Sequence, residues 1–158
     1  MSNEILDFIK EAVRLSRENV ISGDGGPFGA VIVKEGKIIA SGTNKVTSKN
    51  DPTAHAEIEA VRSACSLLNT FNLSGCEIYS SCEPCPMCLS AIYWARLDKI
   101  YFANTKNDAA EINFDDNFIY EEISKPLHKR KIPILKIDHD DAKKVFEEWI
   151  KKEERINY

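Results

Sequence analysis

The chain has 158 residues, 43% hydrophobic and 29% charged, the size and composition of one folded domain with a sizeable core. Lys+Arg 21 against Asp+Glu 25 leaves a net charge of −4, and an isoelectric point near 5.5 is far from the basic footprint of a nucleic-acid binder. No apolar run approaches the length of about 20 residues that a membrane helix needs. Acidic residues interrupt the opening segment, which is therefore not a signal peptide. Five cysteines, an odd number, suit cytosolic thiols or metal ligands better than bridges. These features predict a soluble, cytoplasmic protein folded as a single domain over residues 1–158, without membrane or nucleic-acid partners.

Ile5, Phe8, Ile9, Ala12, Val13 and Val20 recur at helical spacing and predict an amphipathic first helix. The glycines and proline of Ser22–Pro27 end it. Phe28–Lys34 and Lys37–Ser41 read as a hairpin around Glu35-Gly36. A polar loop over Thr43–Pro52 precedes a helix over Ala54–Leu68, a short strand at Glu77–Ser81 and a helix over Cys85–Ala95. Lys99–Ala103 and Ile132–Ile137 are expected strands, separated by a long irregular stretch, Asn104–Arg130. The last helix, Asp141–Arg155, shows Ala142, Val145, Phe146, Trp149 and Ile150 on one face, with charges at i,i+4 on the other. Strands alternating with helices predict a central, largely parallel sheet covered on both faces, opened by one antiparallel hairpin.

Two segments hold most of the chemistry: Thr53-Ala-His-Ala-Glu57 and Ser81-Cys-Glu-Pro-Cys-Pro-Met-Cys88. A lone histidine at a helix start is ordinarily a cap or surface residue. The Cys85/Cys88 pair alone fits half a zinc site, a redox pair, part of an iron–sulfur set, or plain buried thiols. The combination decides among them. Two cysteines at i and i+3 in the first turn of a helix place both sulfurs on one metal, and the helix N-terminus favours their thiolates. One histidine makes three ligands, which leaves a fourth tetrahedral position open, as a catalytic zinc requires. Residues i and i+2 of a regular helix lie about 200° apart, so His55 and Glu57 converge only over a helix end. The expected geometry is two helix N-termini aimed at one zinc. A redox pair has no need of His-x-Glu, and an iron–sulfur set lacks a placed fourth cysteine. Cys65 and Cys76 read as packing residues and Cys82 as a loop thiol beside the site.

His-Ala-Glu followed by Pro-Cys-x-x-Cys resembles the signature of the zinc-dependent cytidine and nucleobase deaminases. Gly25-Gly-Pro-Phe-Gly-Ala30, Asn50-Asp-Pro-Thr-Ala-His55, Ser81–Cys88 and Ala91-Ile-Tyr-Trp94 resemble segments shared, with variation, by guanine, cytosine and transfer-RNA adenosine deaminases. Phe114-Asp-Asp116 with a final Tyr158 is similar, more narrowly, to the short bacterial guanine deaminases. The resemblance implies a three-layer α/β/α sandwich around a five-stranded mixed sheet. It also implies one Zn2+ per chain on His55, Cys85 and Cys88, acidifying a water, with Glu57 as proton shuttle. The implied reaction takes guanine to xanthine and ammonia.

Further roles follow from the same resemblance. Asp116 becomes a second carboxylate near the departing amine, and Asn44 a hydrogen-bond partner of the purine. Phe28 would stack on the ring, the Ala56 N–H would bond a substrate carbonyl, and Trp94 would line the pocket. The implied assembly is a homodimer that exchanges its C-terminal segment, about 140–158, so that Tyr158 closes the partner's site. The alternatives are a transfer-RNA adenosine deaminase, a cytosine deaminase, and, from a different class, a zinc-stabilised binding module without turnover. The basic run His128-Lys-Arg-Lys131 is short, and the last helix balances five basic with five acidic residues, which weighs against RNA. Glu57 weighs against the binding module, because a structural zinc has no use for that carboxylate.

Overall fold

The structure is a computed structural model and describes residues 3–157. Helix α1 (Asn3–Ser22) buries Ala12 and Asn19 and half-buries Ile5, Phe8, Ile9 and Leu15. Val13 and Val20, expected on that face, point outward instead. Asn19 takes the inner place near the helix end because its amide finds two main-chain carbonyls there. Strands β1 (Gly29–Lys34) and β2 (Lys37–Thr43) form the expected hairpin. Its two turn residues, Glu35 and Gly36, both have positive φ (50° and 71°), which matches the twist of the strands.

The loop after β2 contains a short helix, α2 (Val46–Lys49), and leads into α3 (Ala56–Leu68). Then come β3 (Cys76–Cys82), α4 (Pro86–Ala95) with a proline at its first position, and β4 (Lys99–Asn104). The stretch expected to be irregular is partly helical: α5 (Lys106–Glu111), α6 (Asn117–Ser124) and a 3-10 turn at Leu127–Lys129. A capping box between Thr105 and Asp108 starts α5. The last helix is α7 (Asp140–Lys151), where the ion pair is Lys144 with Asp141 at i,i+3.

The sheet order is β2-β1-β3-β4, with β1 antiparallel to both neighbours and β3 parallel to β4. It is mixed, as expected, but has four strands among the described residues rather than five, and it is not largely parallel. The β2–α3–β3 crossover passes over β1, so β2 is separated from β3 and β4, which run the same way, by a strand that runs against all three. The expected fifth strand, Ile132–Ile137, has no regular pairing. Pro133 lacks a ladder N–H, and Ile132, Leu135 and Ile137 are exposed rather than packed on a face.

Three layers result. Ala30, Ile32 and Ile78 face α3 and α4, packing on Ala56, Ala60, Ala64, Ile92 and Ala95. Val31, Val33 and Tyr79 face α1, against Ile5, Phe8, Ile9 and Leu15. Both faces of β1 are therefore dry, which is why Gly29–Lys34 reads as a continuous apolar run. The α3 layer sits unusually close to β2. A Cβ on Gly42 would lie 2.2 Å from the Ala56 carbonyl oxygen and 2.5 Å from the Ala60 nitrogen.

The chain divides into two compact units, Met1–Phe118 and Ile119–Tyr158. The first contains the whole sheet. In the second, the apolar stripe of α7 (Val145, Phe146, Trp149, Ile150) is exposed. No helix among the described residues is long and apolar enough to cross a membrane.

Candidate metal centre

His55 and Cys85 are the N-cap residues of α3 and α4, each with extended backbone (φ −72°, ψ 157° and φ −63°, ψ 168°). Cys88 lies in the first turn of α4, so two helix N-termini do converge on one point. His55 Nδ1 is 3.6 Å from Cys85 Sγ and 3.5 Å from Cys88 Sγ, and the three donor atoms lie within 4.8 Å of one another. Tetrahedral zinc, with Zn–S about 2.3 Å and Zn–N about 2.0 Å, asks for N···S separations of about 3.6 Å. The donor set fits zinc as it stands, and three donors leave one position open.

The charges within the set are coupled. The Cys85 thiol is drawn down to about 4, first by a hydrogen bond from Cys88 and then by His55, against the effect of burial. Cys88 is pushed up by the same bond and keeps the shared proton, while the bond to Cys85 raises His55. A divalent cation displaces that proton on binding.

Glu57 reaches the set because His55 is a cap and not a helical residue, so the helical 200° does not separate them. Its Oε2 accepts from Cys88 Sγ at 3.5 Å and its Oε1 accepts from Ser80 Oγ at 3.1 Å. Only 6% of Glu57 is exposed, and burial pushes its carboxyl above the ordinary range. It stands beside the metal donors without being one of them.

The other expected residues are placed less uniformly. Asp116 is half-buried while Asp115 is exposed, and its carboxyl is raised by burial and then by the nearby Cys85 charge. Asn44 is 4% exposed, with Oδ1 accepting the N–H groups of Gly26 and Val46, both at 3.2 Å. That leaves the amide NH2 as the end available to a ligand. Phe28 is half-buried against the core and meets Phe114 edge-on, with ring centroids 5.0 Å apart. Ala56 is buried as the first residue of α3, where its N–H has no intrahelical partner. Trp94 is exposed on α4, bordering an open depression of about 430 Å³ with Ser90, Tyr93 and Arg96. Tyr158 lies outside the described residues.

The family model of the cytidine and deoxycytidylate deaminase zinc-binding region matches residues 2–104, which include His55, Glu57, Cys85 and Cys88. The chain belongs to that deaminase family. It is 54% identical to the guanine deaminase of Bacillus subtilis over 142 residues, 90% of this chain and 91% of that protein. The X-ray structure of Bacillus subtilis guanine deaminase superposes with a TM-score of 0.95 at 51% identity, covering 100% of this chain and 99% of the other. A transfer-RNA-specific adenosine deaminase of Aquifex aeolicus is 46% identical over 96 residues, 61% of this chain and 63% of its own.

Three features of the deaminase site are absent from the sequence reading. Ser80 is the first, and its signal is a pair of hydroxyls, Ser80-Ser81, in the part of β3 that is buried on both faces, Ile78–Cys82. Asn19 is the second; it stands seven residues after Ala12 and so in line with the buried face of α1. The third is a strand position for Cys82, which ends β3 rather than lying in a loop and donates to the Thr105 carbonyl at 3.6 Å. Burial raises the Cys82 thiol to about 11.

Proposed function

We propose that this deaminase hydrolyses guanine to xanthine and ammonia. The observation that carries the reading is the extent of the likeness. Identity to the Bacillus subtilis guanine deaminase covers 90% of the chain, whereas identity to the Aquifex transfer-RNA deaminase covers 61%. A net charge of −4 also disfavours a polyanionic RNA substrate.

His55, Cys85 and Cys88 hold one zinc per chain. When bound, the metal supplies a water whose pKa falls towards about 7. Glu57 would accept one proton from that water and give it to the ring nitrogen as the C–O bond forms. It would then carry the second proton from that oxygen to the amine, which leaves as ammonia when the C–N bond breaks. Its burial, which raises the carboxyl, suits a group that must both accept and give a proton. Asp116 assists at the departing amine. Asn44 donates its NH2 to the polar edge of the purine, the Ala56 N–H donates to a carbonyl, and Phe28 stacks on the ring. Trp94 and Tyr158 complete the pocket, Tyr158 from the partner in a homodimer that exchanges the segment about 140–158. The exposed apolar stripe of α7 supports such an exchange. Five free thiols support a reducing, cytoplasmic setting.

The test is ammonia release from zinc-loaded protein given guanine, adenine, cytosine or a transfer-RNA anticodon stem. Release from guanine alone is expected. Release from the anticodon stem selects the RNA reading instead, release from cytosine selects the cytosine deaminase, and no release from any substrate selects the binding module.

A further inference from the structure

Helix α1 contributes nothing to the zinc set, yet Asn19 near its end is only 3% exposed. A buried amide is costly unless its N–H groups are bonded, and this one donates to two main-chain carbonyls. Asn19 Nδ2 lies 2.8 Å from the Gly26 oxygen and 2.9 Å from the Asn44 oxygen. Gly26 and Asn44 are also bonded to each other in the reverse sense, since the Gly26 N–H donates to Asn44 Oδ1 at 3.2 Å. One side chain therefore clamps both partners of the bond that orients the Asn44 amide. Gly25 closes the arrangement from another side, where a Cβ would lie 2.2 Å from the Asn44 oxygen and 2.6 Å from its Oδ1.

The clamp acts where the strand ladder stops. Gly29 and Thr43 are the last paired residues of the hairpin at this end, and one more bond, Asn44 N–H to the Phe28 oxygen at 3.2 Å, continues it. Beyond that point no regular pairing holds residues 25–27 against Asn44, and Asn19 supplies the missing tie from a third element.

We infer that Asn19 is a positioning residue for substrate recognition, acting through Asn44. By holding the main chain at Gly26 and Asn44, it keeps Oδ1 of Asn44 engaged and presents the NH2 as a donor of fixed orientation. An amide free to rotate offers a ligand either end; a clamped one offers only the donor, which suits a carbonyl or ring-nitrogen acceptor. The inference rests on the reading of Asn44 as a purine-contacting residue.

The test uses zinc-loaded full-length protein carrying Glu57→Gln, so that ligand binds without turnover, titrated calorimetrically with 8-azaguanine. Asn44→Ala weakens binding. Asn19→Ser weakens it by about tenfold, roughly the worth of one hydrogen bond. In the Asn44→Ala background Asn19→Ser adds little, because residues acting through one another are not additive. Gly25→Ala presses on the same amide from the opposite side and weakens binding with Asn19 intact, which keeps the test decisive if Asn19→Ser does not fold. Zinc content is unchanged in each folded variant. Equal weakening by Asn19→Ser with and without Asn44, or no weakening by either Asn19→Ser or Gly25→Ala, overturns the inference while leaving the role of Asn44 standing. Parental affinity in Asn44→Ala removes that role, and the inference with it.

Discussion

The hydroxyl of Ser80 donates to Oε1 of Glu57 at 3.1 Å, and both side chains are buried. Alternation along β3 puts Ser80 on the face shared by Cys76 and Ile78, the face that α3 covers. One oxygen of the carboxylate is thus tied to the sheet while the other lies beside Cys88. The Ser80 bond favours the charged form of Glu57 and partly offsets burial.

Two substitutions test that relationship. With Glu57 as the proposed proton shuttle, Glu57→Gln is expected to keep zinc but lower turnover by at least ~100-fold. Ser80→Ala removes a bond to the charged carboxylate, so the pKa of Glu57 rises further and the acid limb of the kcat/KM profile moves to higher pH. Zinc content by elemental analysis and rate profiles across pH check both. An unmoved acid limb in Ser80→Ala means that the serine does not tune Glu57.

Metal removal separates the thiols. Cys85 is drawn down to about 4 and Cys82 pushed up to about 11. At about pH 6 the first is above its pKa and a thiolate, and the second is far below its own and protonated. Chelated protein is expected to take up iodoacetamide at Cys85 and not at Cys82, whereas zinc-loaded protein is protected at both. Peptide mass mapping reads the sites, and preferential labelling of Cys82 contradicts the assignment. Cys85→Ala or Cys88→Ala abolishes zinc retention and lowers the melting temperature.

Asp116 and its exposed neighbour Asp115 form an internal control. Asp116→Asn lowers kcat more than it raises KM if the carboxyl handles a proton at the departing amine. Asp115→Asn has little effect on either constant. Steady-state kinetics on guanine decides, and equal small effects at both positions make Asp116 an ordinary loop residue.

Gly42→Ala tests how α3 is seated. Its Cβ would meet the main chain of Ala56 and Ala60 at 2.2 and 2.5 Å, atoms that have no freedom to yield. Pushing α3 off β2 costs about 1–3 kcal/mol or more, seen as a lower melting temperature. Because α3 carries His55 and Glu57, zinc affinity falls with it. A variant with parental stability and zinc affinity shows that the helix relaxes freely.

The C-terminal tail is tested by deleting Ile156–Tyr158. Zinc content and folding stay intact and guanine turnover falls. If the proposed exchange holds, subunit exchange with an excess of Glu57→Gln chains restores part of the loss, the inactive chain lending its tail. A silent deletion assigns the tail no role, and a harmful one without rescue assigns it to its own chain.

How much of this was legible in the sequence depends on the range of the interaction. His55, Cys85 and Cys88 could be read from spacing, because a metal demands particular donors and a helix start presents residues i and i+3 together. Apart from the short α2, which falls within the stretch expected to be a polar loop, the elements from the first helix to β4 follow from apolar periodicity, because both sheet faces are covered and these strands and helices show their buried sides in their own residues. Ile132–Ile137 has a strand's composition without a strand's partner, and composition does not supply the partner. Ser80 and Asn19 looked like ordinary polar residues. Their roles depend on which carboxylate and which carbonyls the chain brings to them from 23, 7 and 25 residues away. Only the tertiary structure decides that, because a hydrogen bond is a matter of ångströms between atoms that the sequence leaves unplaced.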